Sequence, residues 1–104
     1  YNARPAAEKT SKFVGAIAIN TATGDITVTT AAAATSGLPT DAAVRNVVFR
    51  PNVNGVALVA GATGAIDWAC ASATNTTSTA RGLANNAVAA ATALPAKYAP
   101  SECR

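Results

Sequence analysis

Residues 13–30, FVGAIAINTATGDITVTT, contain two stretches with the two-residue periodicity of β-strands. In the first stretch, FVGAIAIN, the odd-numbered residues share one face of a strand. Phe13 and Ile17 therefore lie on one predicted face, and Val14 lies on the other. The stretch contains no charged side chain, as is typical of a strand against a core.

The second stretch, DITVTT, places Ile26 and Val28 on one face and threonines on the other. The linker TATG is polar and ends in Gly24, a residue that favours tight turns. Two alternating stretches joined by a short glycine-containing loop predict an antiparallel β-hairpin.

A third strand is predicted at residues 46–53, NVVFRPNV, with Phe49 as its largest apolar side chain. Proline has no amide hydrogen, so Pro51 favours a strand end or a sheet edge. Asn54 and the glycine after it form a turn signal, and residues 56–60 fit either a short strand or a loop.

The last predicted strand is AIDWACA, residues 65–71, in which Ile66, Trp68 and Cys70 share a face. This alternation places the indole ring beside the cysteine sulfur. We therefore expect an aromatic side chain to pack against the cysteine in the core.

Composition limits the size of that core. The 104 residues include 28 alanines and 14 threonines, and alanine buries little apolar area. A single domain this poor in large side chains needs a covalent link or a partner surface to complete its core. The predicted core residues are Phe13, Ile17, Ile26, Val28, Phe49 and Trp68.

Cys70 and Cys103 are the only cysteines. A disulfide between them would stabilise the fold by about 3–4 kcal/mol and would indicate an oxidising compartment. The alternative is a reduced pair of buried thiols. A zinc site is not predicted, because the chain has no histidine and two thiols do not complete four ligands. No cofactor site is predicted either.

The sequence gives little support for an enzyme. Without histidine, the Ser-His and Cys-His pairs that activate nucleophiles are excluded. The five carboxylates are scattered along the chain, and residues 61–64, GATG, lack the lysine of a phosphate-binding loop. The net charge of +3 is spread without a dense basic cluster, so a dedicated nucleic-acid binder is not predicted either.

Four segments together resemble the globular head of bacterial type IV pilins: KFVGAI from Lys12, GDITV from Gly24, DWAC from Asp67 and the ending LPAKYAPSECR from Leu94. The Trp-x-Cys strand combined with the Lys-Tyr-x-Pro-x-x-Cys ending is the most specific element. The resemblance covers about nine-tenths of the chain.

This resemblance implies an α+β pilin fold, represented here mostly by its β part. The expected architecture is a single head domain with a lead-in segment at residues 1–12, a four-stranded antiparallel sheet at 13–71 and a disulfide-bounded D-region at 70–103. In such pilins one sheet face packs on a long N-terminal helix, which has no counterpart in this sequence. Two explanations stay open: a truncated chain, or a split pilin whose helix is a separate polypeptide.

The resemblance implies a structural subunit that polymerises into an extracellular bacterial pilus used in adhesion, twitching motility or DNA uptake. The expected partners are other pilin subunits or a separate helical chain, with no small-molecule substrate. A second hypothesis is a minor pilin that contacts DNA or a cell-surface receptor. The candidate phosphate contacts for that role are Arg81, Lys97 and Arg104. Tyr98 is a candidate either for local packing or for a contact with another subunit or a receptor. A third hypothesis is O-linked glycosylation of the threonine-rich loop.

Overall fold

The computed structural model describes residues 1–85 and 88–104, and it confirms an antiparallel sheet. Its strands are β1 (Val14–Ile19), β2 (Ile26–Thr30), β3 (Asn46–Val53), β4 (Val56–Ala57) and β5 (Ile66–Ala71). The helical elements are α1 (Ala33–Ser36), α2 (Thr76–Ala80) and 3₁₀ turns at Ala6–Glu8, Ala96–Tyr98 and Ser101–Cys103. None of the helices in the described ranges is long and apolar enough to cross a membrane.

Strand β3 forms the centre of the sheet. One of its edges pairs with β2 and, further along, with the two-residue strand β4, while its other edge pairs with β5. Strand β1 pairs with β2, so β1 and β5 are outer strands, as is the two-residue β4, which pairs with β3 alone. Residues 56–60, which fitted either a strand or a loop, contribute β4. The sheet of the described residues therefore has five strands rather than the four expected.

Strand β3 has the predicted bounds, but Pro51 lies neither at its last residue nor on an outer strand of the sheet. Pairing with β2 ends at Phe49 and pairing with β4 starts at Asn52, so Pro51 lies in the gap between these two partners. Its carbonyl accepts a hydrogen bond from the Leu58 amide at 3.1 Å on that same side. The missing amide hydrogen of Pro51 therefore costs no ladder bond to β5.

A β-bulge at the start of β1 changes the predicted faces. Val14 pairs with Thr30 and Ala16 with Thr29, so Gly15 is an extra residue on β1. The bulge places Val14, rather than Phe13, on the face of Ile17. The assignment of Phe13 to the core is therefore wrong, and its side chain is 53% exposed.

The buried core lies at one end of the sheet, where the C-terminal tail crosses β3 and β5. Its members are Ala42, Val47, Cys70, Leu94, Ala99 and Cys103, with Leu38 and Phe49 packed against them. The alanine-rich residues 83–93 favour at most one or two turns of helix by sequence, and Asn85 and Asn86 weaken that prediction. Residues 86 and 87 lie outside the described residues, and the described parts on either side contain no helix.

Candidate assembly surface

One side of the sheet carries only uncharged side chains and is called the apolar face below. The strand registers align Ile19, Ile26, Phe49 and Cys70 in one row across four strands. The apolar side chains on this face are Val14, Ile17, Ile19, Ile26, Val28, Val47, Phe49, Pro51, Val53, Val56, Ile66, Trp68 and Cys70. The opposite side, called the back face, carries Arg50 and Asp67.

Only the Cys70 end of the apolar face is covered by the tail. Val47 and Cys70 are buried there, and Phe49 packs partly buried against the same cluster, as predicted for it. Pro51 and Val53 are also buried on this face, although they lie outside the cluster. Other side chains of the face are more open: Val56 is 63% exposed, Ile66 is 55% exposed and Trp68 is 44% exposed. We call the following half-buried and exposed side chains of the face the open patch: Ile17, Ile19, Ile26, Val28, Val56, Ile66 and Trp68.

The prediction that Trp68 lies in the core is wrong, and three other predicted core residues are only half-buried. Trp68 does lie on the face of Cys70, but it is not part of the chain's own core because the tail does not reach this part of β5. Ile17, Ile26 and Val28 are half-buried by their neighbours in the sheet and lie outside the buried cluster. Four of the six predicted core residues thus belong to the open patch rather than to the buried cluster.

A disulfide between Cys70 and Cys103 closes the C-terminal loop. Two fully buried serines hold the loop on either side of this bond. The Ser72 hydroxyl donates to the carbonyl oxygen of Cys103 at 2.6 Å, and the Ser78 hydroxyl donates to that of Cys70 at 2.7 Å. These serines attach the tail and helix α2 to β5 independently of the sulfur–sulfur bond.

Arg81, a predicted contact residue, is engaged within the chain. Its guanidinium donates to both carboxylate oxygens of Asp67, at 2.8 and 2.9 Å, and to Glu102 at 3.2 Å. It therefore connects β5, the end of α2 and the tail. Its charge is largely balanced by the two carboxylates.

Lys97 and Tyr98 form a second cluster with Asp41, which lies in the connection between β2 and β3. The Tyr98 hydroxyl donates to Asp41 at 3.1 Å, and the Lys97 ammonium lies 3.3 Å from the same carboxylate. Desolvation opposes the charge of Asp41, but hydrogen bonds from Tyr98 and Lys97 outweigh it and hold the pKa of Asp41 below 3.8. The hydrogen bond to Asp41 raises the pKa of Lys97.

Arg104 donates from Nε to the carbonyl oxygens of Ala96 and Ala99, at 3.0 and 2.9 Å. The structure thus brings Lys97 and Tyr98 together, whereas Arg81 and Arg104 bind separate groups of the chain. All four predicted contact residues stabilise the C-terminal loop. A contact between any of them and a partner stays a prediction.

A partly buried ion pair supports the sheet. Arg50 donates to both oxygens of Asp25, at 3.0 and 2.7 Å, and side-chain exposure is 19% for Arg50 and 15% for Asp25. These hydrogen bonds raise the pKa of Arg50. The pair connects β3 to the residue that precedes β2, at the hairpin turn.

Sequence reasoning missed the most buried polar side chains. Asn52 is fully buried, and so is Ser72, while Ser78 is 1% exposed. The buried role of Asn52 could have been predicted from its position in a strand between Pro51 and Val53. A side-chain amide that is buried in a strand needs hydrogen-bond partners. The serines gave no signal, because they lie in a loop rich in serine and threonine.

No group of three or more His, Cys, Asp or Glu side chains in residues 1–85 and 88–104 is arranged to hold a metal ion. A shallow groove is lined by residues 21–24 and 58–62, none of which is ionisable. The feature that distinguishes this surface is the open patch.

Comparison with known proteins agrees with this geometry. The family model for pilins, described as bacterial filament proteins, matches residues 2–104. The crystal structure of a type IV pilin from Pseudomonas aeruginosa is similar, with 36% sequence identity and a TM-score of 0.72 over 91% of this chain. None of the curated proteins matches. The aligned region spans 66% of the Pseudomonas pilin, slightly less than two thirds of its length.

Proposed function

Because this chain belongs to the pilin family, we propose that it is the head of a structural subunit of a bacterial type IV pilus and that a helix covers its open patch. The observation that carries the proposal is an uncharged apolar face that the chain's own tail covers at one end only. Exposed contiguous apolar surface on a small domain is typical of an interaction site.

The dimensions of the open patch fit a single helix. Four strands about 4.8 Å apart give a width of about 14 Å, and strands of six residues are about 20 Å long. A helix with side chains is about 10 Å wide and rises 1.5 Å per residue, so about 13 residues would cover the length of the sheet. One face of a helix packing on one face of a sheet is a standard layered arrangement.

The side chains of the open patch determine what kind of helix can bind it. Ile66, Trp68 and Ile17 offer aliphatic and aromatic surface with no charge for a partner to pair with. The partner helix must therefore present an apolar stripe at positions i, i+3, i+4 and i+7. Burial of the patch would supply the core area that the alanine-rich composition lacks.

The helix has two sources in this proposal: the same polypeptide or a separate chain. The similar pilin has about a third of its chain outside the aligned region, which is long enough to contain such a helix. Assembly then follows from head-to-tail contacts between identical subunits, which propagate into a helical filament when they do not close into a ring. Adhesion, twitching motility and DNA uptake are the uses that the proposal assigns to this filament.

An extracellular location is part of the same proposal. The Cys70–Cys103 disulfide supports it, because such bonds form and persist in oxidising compartments.

The filament proposal is tested on cells that express this sequence. Surface filaments are sheared off, washed and digested, and peptides of this chain are identified by mass spectrometry. We expect the chain as a component of the filament fraction. Recovery only from soluble or membrane fractions of piliated cells would contradict the proposal. Any upstream residues found in the filament protein show whether head and helix share one polypeptide.

The helix is tested separately with Trp68, the only tryptophan. A synthetic amphipathic helix of about 16 residues with one leucine stripe is titrated into the purified chain. We expect a blue shift of Trp68 emission and protection from acrylamide quenching. Ile66→Ser should weaken this binding by about tenfold, the loss of one buried aliphatic side chain.

Val59→Ser is the matched control, because Val59 is 63% exposed but lies in the loop after β4. It should leave the titration unchanged. Equal weakening by Val59→Ser, or no change of Trp68 emission, would contradict the helix proposal. The filament proposal would be unaffected, because the analysis of sheared filaments tests it separately.

A further inference from the structure

The two longer outer strands of the sheet, β1 and β5, have side chains bonded to their free edges. On β1, the Asn2 amide donates to the carbonyl oxygen of Ile19 at 2.6 Å and accepts from the Ile19 amide at 3.0 Å. These two bonds are the pair that a neighbouring strand would make with Ile19. The side chain of Asn2 therefore replaces a strand at this position.

The other end of β1 is closed in the same reciprocal way. The Ser11 amide donates to the carbonyl oxygen of Val14 at 2.9 Å, and the Val14 amide donates to the Ser11 hydroxyl at 3.2 Å. The segment before β1 thus runs beside its free edge and occupies the backbone groups at both ends of the strand.

The free edge of β5 is closed by two other side chains. The Ser78 hydroxyl of α2 donates to the carbonyl oxygen of Cys70 at 2.7 Å. The Trp68 amide donates to the Asp67 carboxylate at 2.9 Å, and Arg81 binds the same carboxylate. A charged ion pair therefore lies at the exposed half of this edge, and α2 lies at the other half.

The sequence of β1 explains why its edge needs closing. Residues 13–19, FVGAIAI, form an uncharged segment without proline and with high β-propensity, the type that stacks into cross-β assemblies. An unpaired edge of such a strand is a template for a second chain. In a molecule that reaches the high local concentrations of a polymer, strand addition would compete with ordered assembly.

We propose that Asn2, Ser11, Asp67 and Ser78 act as edge caps that prevent a second copy of this chain from adding a strand to the sheet. Contacts between copies are then restricted to surfaces other than these two sheet edges. The caps act in the isolated chain, so their role can be tested independently of the proposed function.

The β5 cap is tested with Asp67→Ala and two controls. Asp67→Ala removes the acceptor for the Trp68 amide, whereas Asp67→Asn keeps a side-chain oxygen in place. Asp41→Ala removes a similar ion pair away from the sheet edges, since the side chains of Asp67 and Asp41 are 52% and 48% exposed. Self-association is measured by sedimentation velocity, and strand addition by thioflavin T fluorescence.

The β1 cap is tested with Asn2→Ala in the same assays. We expect wild type, Asp67→Asn and Asp41→Ala to remain monomeric and thioflavin-negative. Asn2→Ala and Asp67→Ala should each raise the self-association constant by about tenfold, as expected for one exposed hydrogen-bonding pair. Their combination should raise it further, because the sites lie on opposite edges.

The idea is overturned if the double variant keeps a native circular dichroism spectrum and stays monomeric, or if Asp41→Ala associates as strongly. A second measurement does not depend on variant folding. A synthetic peptide of residues 13–19 is added to the wild-type chain, and capped edges should give no binding. Without peptide, we expect the backbone amides of Ile19 and Trp68 to be protected from hydrogen exchange. Binding of the peptide at either edge would overturn the proposal.

Discussion

The side chain of Asn52 exchanges two hydrogen bonds with the backbone of Ala84: its amide donates to the Ala84 carbonyl at 3.1 Å, and its oxygen accepts from the Ala84 amide at 2.9 Å. Asn52 is fully buried and lies on the back face of β3. This pair attaches the disulfide-closed loop to the back of the sheet, while the tail of the same loop covers the apolar face. The loop thus holds the sheet from both sides.

The first prediction concerns this pair. Asn52→Ala should lower the free energy of unfolding by about 2–4 kcal/mol, because the two hydrogen bonds with Ala84 and a third to the Arg50 carbonyl are lost, and the backbone groups of Ala84 are left without a partner. Urea denaturation measures the change. Asn75→Ala is the control, since the Asn75 side chain does not cap α2, and its effect should stay within about 0.5 kcal/mol. Equal effects of the two substitutions would contradict the role of Asn52.

Much of the sheet was predictable because its signals are local. The alternation of Ile26 and Val28 with threonines gave β2, and the position of Trp68 and Cys70 on one face followed from the same period. The bulge at Gly15 was not predictable, since it depends on how two strands meet across the sheet. A shift of one residue was enough to move Phe13 to the other face.

The candidate surface was predictable only in part. The lean composition indicated that the core needs a covalent link or a partner surface, and the structure shows a disulfide and an apolar face that the chain leaves partly open. Which residues remain uncovered depends on how far the tail extends over β5, and no local pattern encodes that. Trp68 was therefore assigned to the core. The buried hydrogen bonds of Asn52 and Ser72 are likewise products of tertiary packing.

A second prediction concerns the disulfide. Reduction should lower the free energy of unfolding by about 3–4 kcal/mol, the loop-entropy value for a separation of 33 residues between Cys70 and Cys103. Denaturation with and without dithiothreitol measures it. The double variant Cys70→Ala and Cys103→Ala should be insensitive to the reductant. Labelling of both thiols in the native, unreduced protein would contradict the bond.

A third prediction follows from the lowered pKa of Asp41. A carboxyl group with a lower pKa in the folded state stabilises the fold at pH values above its ordinary pKa of 3.8, and this contribution disappears as the pH falls through the folded value. The stability difference between wild type and Asp41→Asn should therefore be constant near neutral pH and vanish in acid.

The pKa of Lys97 is raised in the folded state, so its contribution to stability depends on pH in the opposite direction. Its contribution is present below the ordinary pKa of 10.5 and is lost as the pH rises through the higher folded value. Thermal unfolding of wild type, Asp41→Asn and Lys97→Met is measured across the pH range. It tests the loss of the Asp41 contribution in acid and of the Lys97 contribution at high pH. A difference between wild type and Asp41→Asn that persists in strong acid would show that the carboxylate charge is not its source.

The last prediction concerns the bulge that sets the faces of β1. A β-carbon added at Gly15 would lie 3.1 Å from the carbonyl oxygen of Thr30 and 3.2 Å from Cα of Ala31. Both neighbours are backbone atoms of the paired strand region, so they cannot move aside as a flexible side chain would. Gly15→Ala should therefore lower the free energy of unfolding by about 1–3 kcal/mol, the usual cost of overpacking.

Ala18→Ser is the control for this substitution, because Ala18 is exposed on the back face of the same strand and has room for a hydroxyl. Its effect in urea denaturation should be within about 0.5 kcal/mol. If the β-carbon is accommodated by straightening of the bulge, Val14 would leave the apolar face, and binding of the amphipathic helix would weaken along with stability. Full stability and unchanged helix binding in Gly15→Ala would show that the bulge does not need a glycine.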